Sequence, residues 1–133
     1  MQTDIIIDWS DKKILIAEDE IANYQLLISI LKRTNVQTLW AKTGEEALRI
    51  YHDTENLSAG IIDIKMPDMD GYDFLKQLQK EHTSTKLPPF IAHTAFNYNN
   101  TRKTIMEAGF CGCLFKPIRP QELFSLLNPF LSH

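Results

Sequence analysis

The chain has 133 residues, enough for one domain with a sizeable core. Hydrophobic residues make up 44%, charged residues 23%, and the formal net charge is −3, which excludes a broadly basic surface for nucleic acid or anionic membrane. No apolar run is long enough to cross a bilayer, and Ile5-Ile6-Ile7 is too short for a signal-peptide core. A cytoplasmic domain without direct nucleic-acid or membrane contact is therefore expected, although a parent protein could be membrane-anchored. The two cysteines, Cys111 and Cys113, are one residue apart. That spacing suits reduced thiols better than a disulfide or a structural zinc site.

Residues 1–11 join no clear periodic pattern and are read as an N-terminal lead or linker before a domain at 12–133. Asp8-Trp9-Ser10-Asp11 looks like a connector, and Ile5 to Ile7 could pack on the domain or on a neighbour. Lys13-Ile14-Leu15-Ile16-Ala17 reads as an apolar strand that runs into Glu18-Asp19-Glu20. Ile21 to Lys32 follows, with Leu27, Ile28, Ile30 and Leu31 at helical spacing. Val36 to Ala41 is a second strand. Thr43-Gly44-Glu45-Glu46 has the pattern of a capping box and opens a second helix through Ala47, Leu48 and Tyr51.

A third strand runs from about Ser58 to Ile62. It is apolar throughout, as suits burial on both faces, and it stops at Asp63. Pro67 and Asp70-Gly71 signal a turn before a helix over Tyr72 to Lys80, with Phe74, Leu75 and Leu78 inward. Taken alone, Asp63 could simply end the strand or cap the next helix. Phe90 to His93 is a fourth strand, and a helix from about Asn99 to Ala108 stops at Gly109. Cys113 to Phe115 is a short fifth strand. Pro120 opens a last helix to about Leu127, which Asn128-Pro129 ends or kinks. Strands alternating with helices predict an α/β fold, a doubly wound five-stranded parallel sheet with helices on both faces.

In such a sheet the carboxyl ends of the strands share one edge, where ligands bind. The strands deliver Glu18 and Asp19, then Asp63, then Thr94 with Ala95, then Lys116 with Pro117. Crowded carboxylates repel one another unless a cation joins them. Oxygen ligands suit Mg²⁺, and a lysine and a hydroxyl beside it suit a phosphoryl group. A carboxylate can be the nucleophile, giving an aspartyl-phosphate.

These residues, in this order, resemble the receiver domain of two-component response regulators over roughly residues 12–131. The resemblance rests on Glu18-Asp19, the segment DIKMPDMDG at 63–71, Thr94-Ala95 and Lys116-Pro117. It implies the flavodoxin-like receiver fold, with Asp63 as phosphoacceptor and Mg²⁺ held by Asp19, Glu18, Asp63 and the backbone carbonyl of Lys65. It implies that Thr94 and Lys116 contact phosphoryl oxygens, and that the bond before Pro117 is cis. Gly71 falls where the family turns into its third helix, and Met66 and Pro67 shape the loop. The implied partner is a histidine kinase or histidine phosphotransfer domain, with a phosphorylation-dependent homodimer as a further expectation. Added charge would bias a surface formed by the fourth helix and fifth strand.

Two positions depart from the family pattern. Glu18 stands where aspartate is commoner, and Cys113 stands where many receivers carry an aromatic residue. Phe96, two residues after Thr94, is expected to shield the acyl phosphate from water. His93 is read as a packed residue rather than a phosphotransfer histidine. Asp68 and Asp70 are read as turn or capping residues, and Tyr24, Phe74 and Phe124 as packing residues. The Glu18-Asp19-Glu20 run with Asn23 resembles receivers fused behind histidine kinases, which suggests a hybrid-kinase origin. Two rival functions remain: a phosphorylation-independent interaction module, and an aspartyl-phosphate phosphohydrolase. The second is disfavoured because Lys65 occupies the place of that class's second aspartate.

Overall fold

The structure is a computed structural model, and it describes residues 7–82, 86–98 and 101–132. Five parallel strands, β1 (Lys13–Ala17), β2 (Gln37–Ala41), β3 (Ala59–Asp63), β4 (Phe90–Thr94) and β5 (Gly112–Phe115), form one sheet in the order β2-β1-β3-β4-β5. Five α-helices lie between and after them: α1 (Ile21–Leu31), α2 (Gly44–Asp53), α3 (Gly71–Glu81), α4 (Arg102–Ala108) and α5 (Pro120–Leu131). This is the doubly wound architecture expected. From β1 the chain crosses to β2 on one side, and the later strands add on the other. The crossovers therefore diverge between β1 and β3 and leave a crevice at their carboxyl ends.

Strand alternation divides the core into two layers. Ile14, Ile16, Ile61, Ile91 and Leu114 face α1 and α5, where they meet Leu27, Leu31, Leu123 and Leu127. Leu15, Ala17, Ile62, Ala92 and Cys113 face the other way and pack with Ala47, Phe74, Leu78 and Ile105. The central strands β1, β3 and β4 are thus covered on both faces, which explains why they read as apolar runs, whereas the edge strand β2 is only partly buried.

The helix ends follow their local chemistry. Thr43 Oγ1 accepts from Glu46 N at 3.0 Å, as in a capping box. The Glu46 carboxylate, however, reaches Lys42 N at 3.3 Å rather than returning to Thr43. Thr101 caps α4, so that helix starts at Arg102, and Asn99, the expected start, lies outside the described residues. Gly109 ends α4 in the left-handed region, with φ 112°.

Two expectations are corrected. Pro129 does not end α5, which continues to Leu131. A proline removes a donor and disfavours a helix interior. Here buried Leu127 and Leu131 hold the last turn on the core, and Ser132 N bonds back to Asn128 O at 2.9 Å. Trp9, read as part of a connector, is 1% exposed and packs in the α1/α5 layer. Its amide donates to Thr34 O at 2.7 Å, and its indole Nε1 donates to Ser132 Oγ at 2.8 Å. Ile7 packs against the same layer, whereas Ile5 and Ile6 lie outside the described residues.

Candidate functional site

The alternation that builds the α1/α5 layer also aims the site. Glu18, Asp63, His93 and Lys116 continue the rows of Ile16, Ile61, Ile91 and Leu114 at period two. All four therefore come to one face of the sheet at its carboxyl edge. Glu18, Asp63 and His93 are buried, and Lys116 is partly exposed. Asp19 is exposed at the rim.

Asp63 is held from two sides. Its Oδ1 accepts the Lys65 amide at 3.0 Å, and its Oδ2 accepts Lys116 Nζ at 3.0 Å. Lys116 Nζ also lies 3.5 Å from Glu18 Oε1. Glu18 Oε2 accepts the Glu20 amide at 3.0 Å. The Glu18 backbone is fixed as well, its amide on Ala41 O at 2.9 Å and its carbonyl accepting Trp40 Nε1 at 2.9 Å. Trp40 in turn stacks on Tyr24, with centroids 3.8 Å apart, so Tyr24 packs as expected and helps to clamp the first acidic residue.

The loop after Asp63 is shaped by three contacts. Ile64 N donates to His93 O at 3.2 Å, and Gly71 N donates to Ile64 O at 2.8 Å. Asp70 Oδ1 caps α3 through Asp73 N at 2.8 Å, and Asp68 turns with φ 67°. The Lys116–Pro117 peptide is cis.

Charge crowding sets the ionisation of the group. Burial pushes Asp63 up to about 7, with the adjacent Glu18 carboxylate adding to the rise and Lys116 opposing it. Burial alone would raise Glu18 too. Contacts with His93 and Asp63, the Glu20 amide and the Lys116 charge instead bring it down to about 2. Burial works against the Lys116 ammonium, but the facing carboxylates raise it above its ordinary value. Burial lowers His93, and the contact with Glu18 opposes that shift.

A cleft of about 530 Å³ opens over these groups, lined in part by Asp19, Asp63, Lys65, Thr94 and Lys116. Oxygen atoms of Glu18, Asp19 and Asp63 lie within 4.8 Å of one another. One buried oxygen among them, Glu18 Oε1, has no hydrogen-bond partner among the described residues. A hard, oxygen-only set with an unsatisfied buried oxygen fits Mg²⁺. Thr94 is buried at the cleft, and its hydroxyl turns to the Ala95 carbonyl at 3.4 Å rather than to Asp63.

Phe96, read as a shield for the acyl phosphate, is 65% exposed, and its ring meets the Phe115 ring edge-on at 5.3 Å. Its neighbours Ala95 and Asn97 line the cleft, and Phe96 is not among the lining residues. Cys113 is buried beside a separate cavity of about 400 Å³, lined also by Arg102, Glu122 and Leu126. His93 is buried on β4, as expected of a packed residue. Its Nδ1 in fact lies 3.4 Å from Glu18 Oε1, and the period-two row through Ile91 was the available signal.

Comparison with known proteins identifies the family and the fold. The model of the response regulator receiver domain matches residues 14–128. A probable transcriptional regulator ycf27 from Cyanophora paradoxa is 33% identical over 120 residues, which are 90% of this chain and 48% of that protein. A hybrid signal transduction histidine kinase I from Dictyostelium discoideum is 30% identical over 122 residues, 88% of this chain and 7% of that protein. The chain thus spans about half, or far less, of the length of these relatives. The fold is shared with the receiver domain of Ssk1 from Saccharomyces cerevisiae, solved with the histidine phosphotransfer protein Ypd1. That likeness has a TM-score of 0.82 and 22% identity, covering 96% of this chain and 92% of the other. With the family model matched across nearly the whole domain, this chain belongs to the response regulator receiver domains of two-component signalling.

Proposed function

We propose that this receiver domain is a phosphoacceptor in a phosphorelay and that Asp63 takes the phosphoryl group. The observation that carries the reading is Lys116 Nζ at 3.0 Å from Asp63 Oδ2 in a cleft that Asp19 and Thr94 also line. A histidine kinase or histidine phosphotransfer domain presents phosphohistidine. An Asp63 oxygen attacks phosphorus in line, a P–O bond forms as the P–N bond breaks, and the imidazole leaves with its electron pair. The Lys65 amide orients the carboxylate through Oδ1. Lys116 follows the charge onto the phosphoryl oxygens, and the Thr94 hydroxyl leaves Ala95 O to donate to one of them.

Glu18, Asp19, Asp63 and the Lys65 carbonyl would hold Mg²⁺. When bound, the ion neutralises the carboxylate cluster and the phosphoryl oxygens. Ile21 is 57% exposed directly after Glu20, a cleft residue, and supplies an apolar contact for a partner beside the site. The new charge then biases the surface of α4 and β5, where Cys113 and Arg102 line the second cavity. The domain turns over no free substrate of its own. The likeness to a Dictyostelium hybrid kinase supports a hybrid-kinase parent.

The test is intact mass after incubation with acetyl phosphate and Mg²⁺, beside Asp63→Asn. The parent gains one phosphoryl group, and the variant gains none, nor does the parent without Mg²⁺. A parent that binds Mg²⁺ yet takes no phosphate would instead be an interaction module. Steady Mg²⁺-dependent release of phosphate would make it a phosphohydrolase. Light scattering of the phosphorylated form tests the homodimer.

A further inference from the structure

The polar atoms left without partners around the site belong to two touching side chains. Glu18 Oε1, His93 Nδ1 and His93 Nε2 are all buried and make no hydrogen bond with any described residue. Leaving such atoms unpaired costs free energy, so a buried carboxylate and a buried imidazole side by side call for a reason. Glu18 Oε1 lies 3.4 Å from His93 Nδ1 and 3.5 Å from Lys116 Nζ. Lys116 is nearer to Asp63, at 3.0 Å, and is committed there. The Oε2 atom of Glu18 is already tied to the Glu20 amide. Among the described residues His93 is the neighbouring nitrogen left for Oε1 when the lysine turns to a phosphoryl oxygen.

We propose that His93 is a positioning residue for the metal site: its Nδ1–H takes up Glu18 Oε1 and so orients the Glu18 carboxylate for Mg²⁺. The inference rests on the metal reading above. The fold supports it in three ways. The β3–β4 register pairs His93 with Asp63, and its carbonyl accepts Ile64 N at 3.2 Å, so the backbone of the histidine is as fixed as that of the acceptor. Glu18 and His93 share the same face of the sheet. Glutamate also has the reach that aspartate lacks, since a carboxylate one methylene shorter would withdraw from the imidazole. The departure at position 18 and the histidine at 93 are then one device, a ligand and the partner that orients it.

The experiment is a Mg²⁺ titration of the full chain, read by calorimetry and by tryptophan emission. Trp40 donates to the Glu18 carbonyl at 2.9 Å and reports on the site directly. His93→Leu keeps apolar volume and removes the donor, and it is expected to weaken Mg²⁺ about tenfold or more. His93→Asn restores a donor near the Nδ1 position and is expected within about threefold of the parent. In a Glu18→Asp background, His93→Leu is expected to add less than a twofold change, because the contact is already lost. Circular dichroism checks folding, and His93→Met serves as the second donor-free variant if His93→Leu does not fold. Parent-like Mg²⁺ affinity in the donor-free variants overturns the proposal. So does an asparagine variant as weak as the leucine one. A parent that binds no Mg²⁺ overturns the metal reading as well, which separates the two failures.

Discussion

Gly71 lies so close to Asp63 that no side chain fits between them. A Cβ at Gly71 would stand 2.7 Å from the Asp63 carbonyl oxygen and 2.9 Å from Ile64 Cα. The requirement comes from this approach and not from backbone conformation, since Gly109 is the glycine with positive φ among the described residues. The same approach lets Gly71 N donate to Ile64 O at 2.8 Å, which ties the start of α3 to the end of β3. Gly71→Ala must push backbone from backbone just beyond the acceptor. It is expected to cost about 2 kcal/mol in urea unfolding and to slow phosphorylation by acetyl phosphate several-fold. Unchanged kinetics in the alanine variant would show that the loop after Asp63 tolerates displacement.

Stability without Mg²⁺ should depend on pH through Asp63. In the folded chain Asp63 titrates at about 7, against an ordinary 3.8. Between those values the folded state holds a proton that the unfolded state has lost, so stability falls as pH rises. Glu18, down at about 2 from an ordinary 4.5, opposes this only in the lower part of the window, where the unfolded chain protonates it, and contributes little slope above pH 6. Burial of His93, lowered from its ordinary 6.5, works the opposite way over pH 6 to 8, so the Asp63 contribution is read against Asp63→Asn: relative to that variant the parent is expected to lose about 3 °C or more between pH 6 and pH 8. Asp63→Asn, which cannot ionise, should keep only the opposing rise from His93, and Mg²⁺ should remove the Asp63 contribution by stabilising the carboxylate. The check is a set of thermal melts of parent and variant at both pH values, with and without the ion.

The N-terminal lead is expected to be part of the folding unit. Trp9→Ala removes a fully buried indole from the α1/α5 layer and should cost about 3–5 kcal/mol. Trp9→Phe keeps most of the apolar contact but loses the hydrogen bond to Ser132 Oγ, at about 1 kcal/mol. Removing residues 1–11 should destabilise as much as Trp9→Ala. Urea midpoints measure all three, and a truncation as stable as the parent would restore these residues to the role of a linker.

Much of the site was legible because alternation along a strand is a property of the chain itself. A run such as Ser58 to Ile62 between helical patterns shows where the strand ends, and the residue at that end is then known to lie on the carboxyl edge. Asp63, Thr94, Lys116 and the Glu18-Asp19 pair were reachable in this way. The bounds shifted by up to three residues where caps decide them, as at Thr101. Pro129 misled because its local cost is outweighed by burial of Leu127 and Leu131, a contact with residues far away in the chain.

His93 and Phe96 mark what was not legible. Both flank Thr94, and their types alone suggested a packed histidine and a shielding ring. The partner of each comes from another strand: Glu18 beyond β1 for His93, and Phe115 on β5 for Phe96. Sequence distance conceals such pairs, because strand order and register bring them together.

The amino-acid sequence alone determined the sheet, the order of its helices and the edge at which the acidic residues, the threonine and the lysine gather, since these follow from local periodicity and strand length. The tertiary structure alone decided that Trp9 closes the core, that Phe96 rests on Phe115, and that Glu18 turns inward to His93 and Lys116. Each of those depends on which side chains meet across strands and layers, and on the burial that makes an unpaired charge costly enough to choose its neighbours.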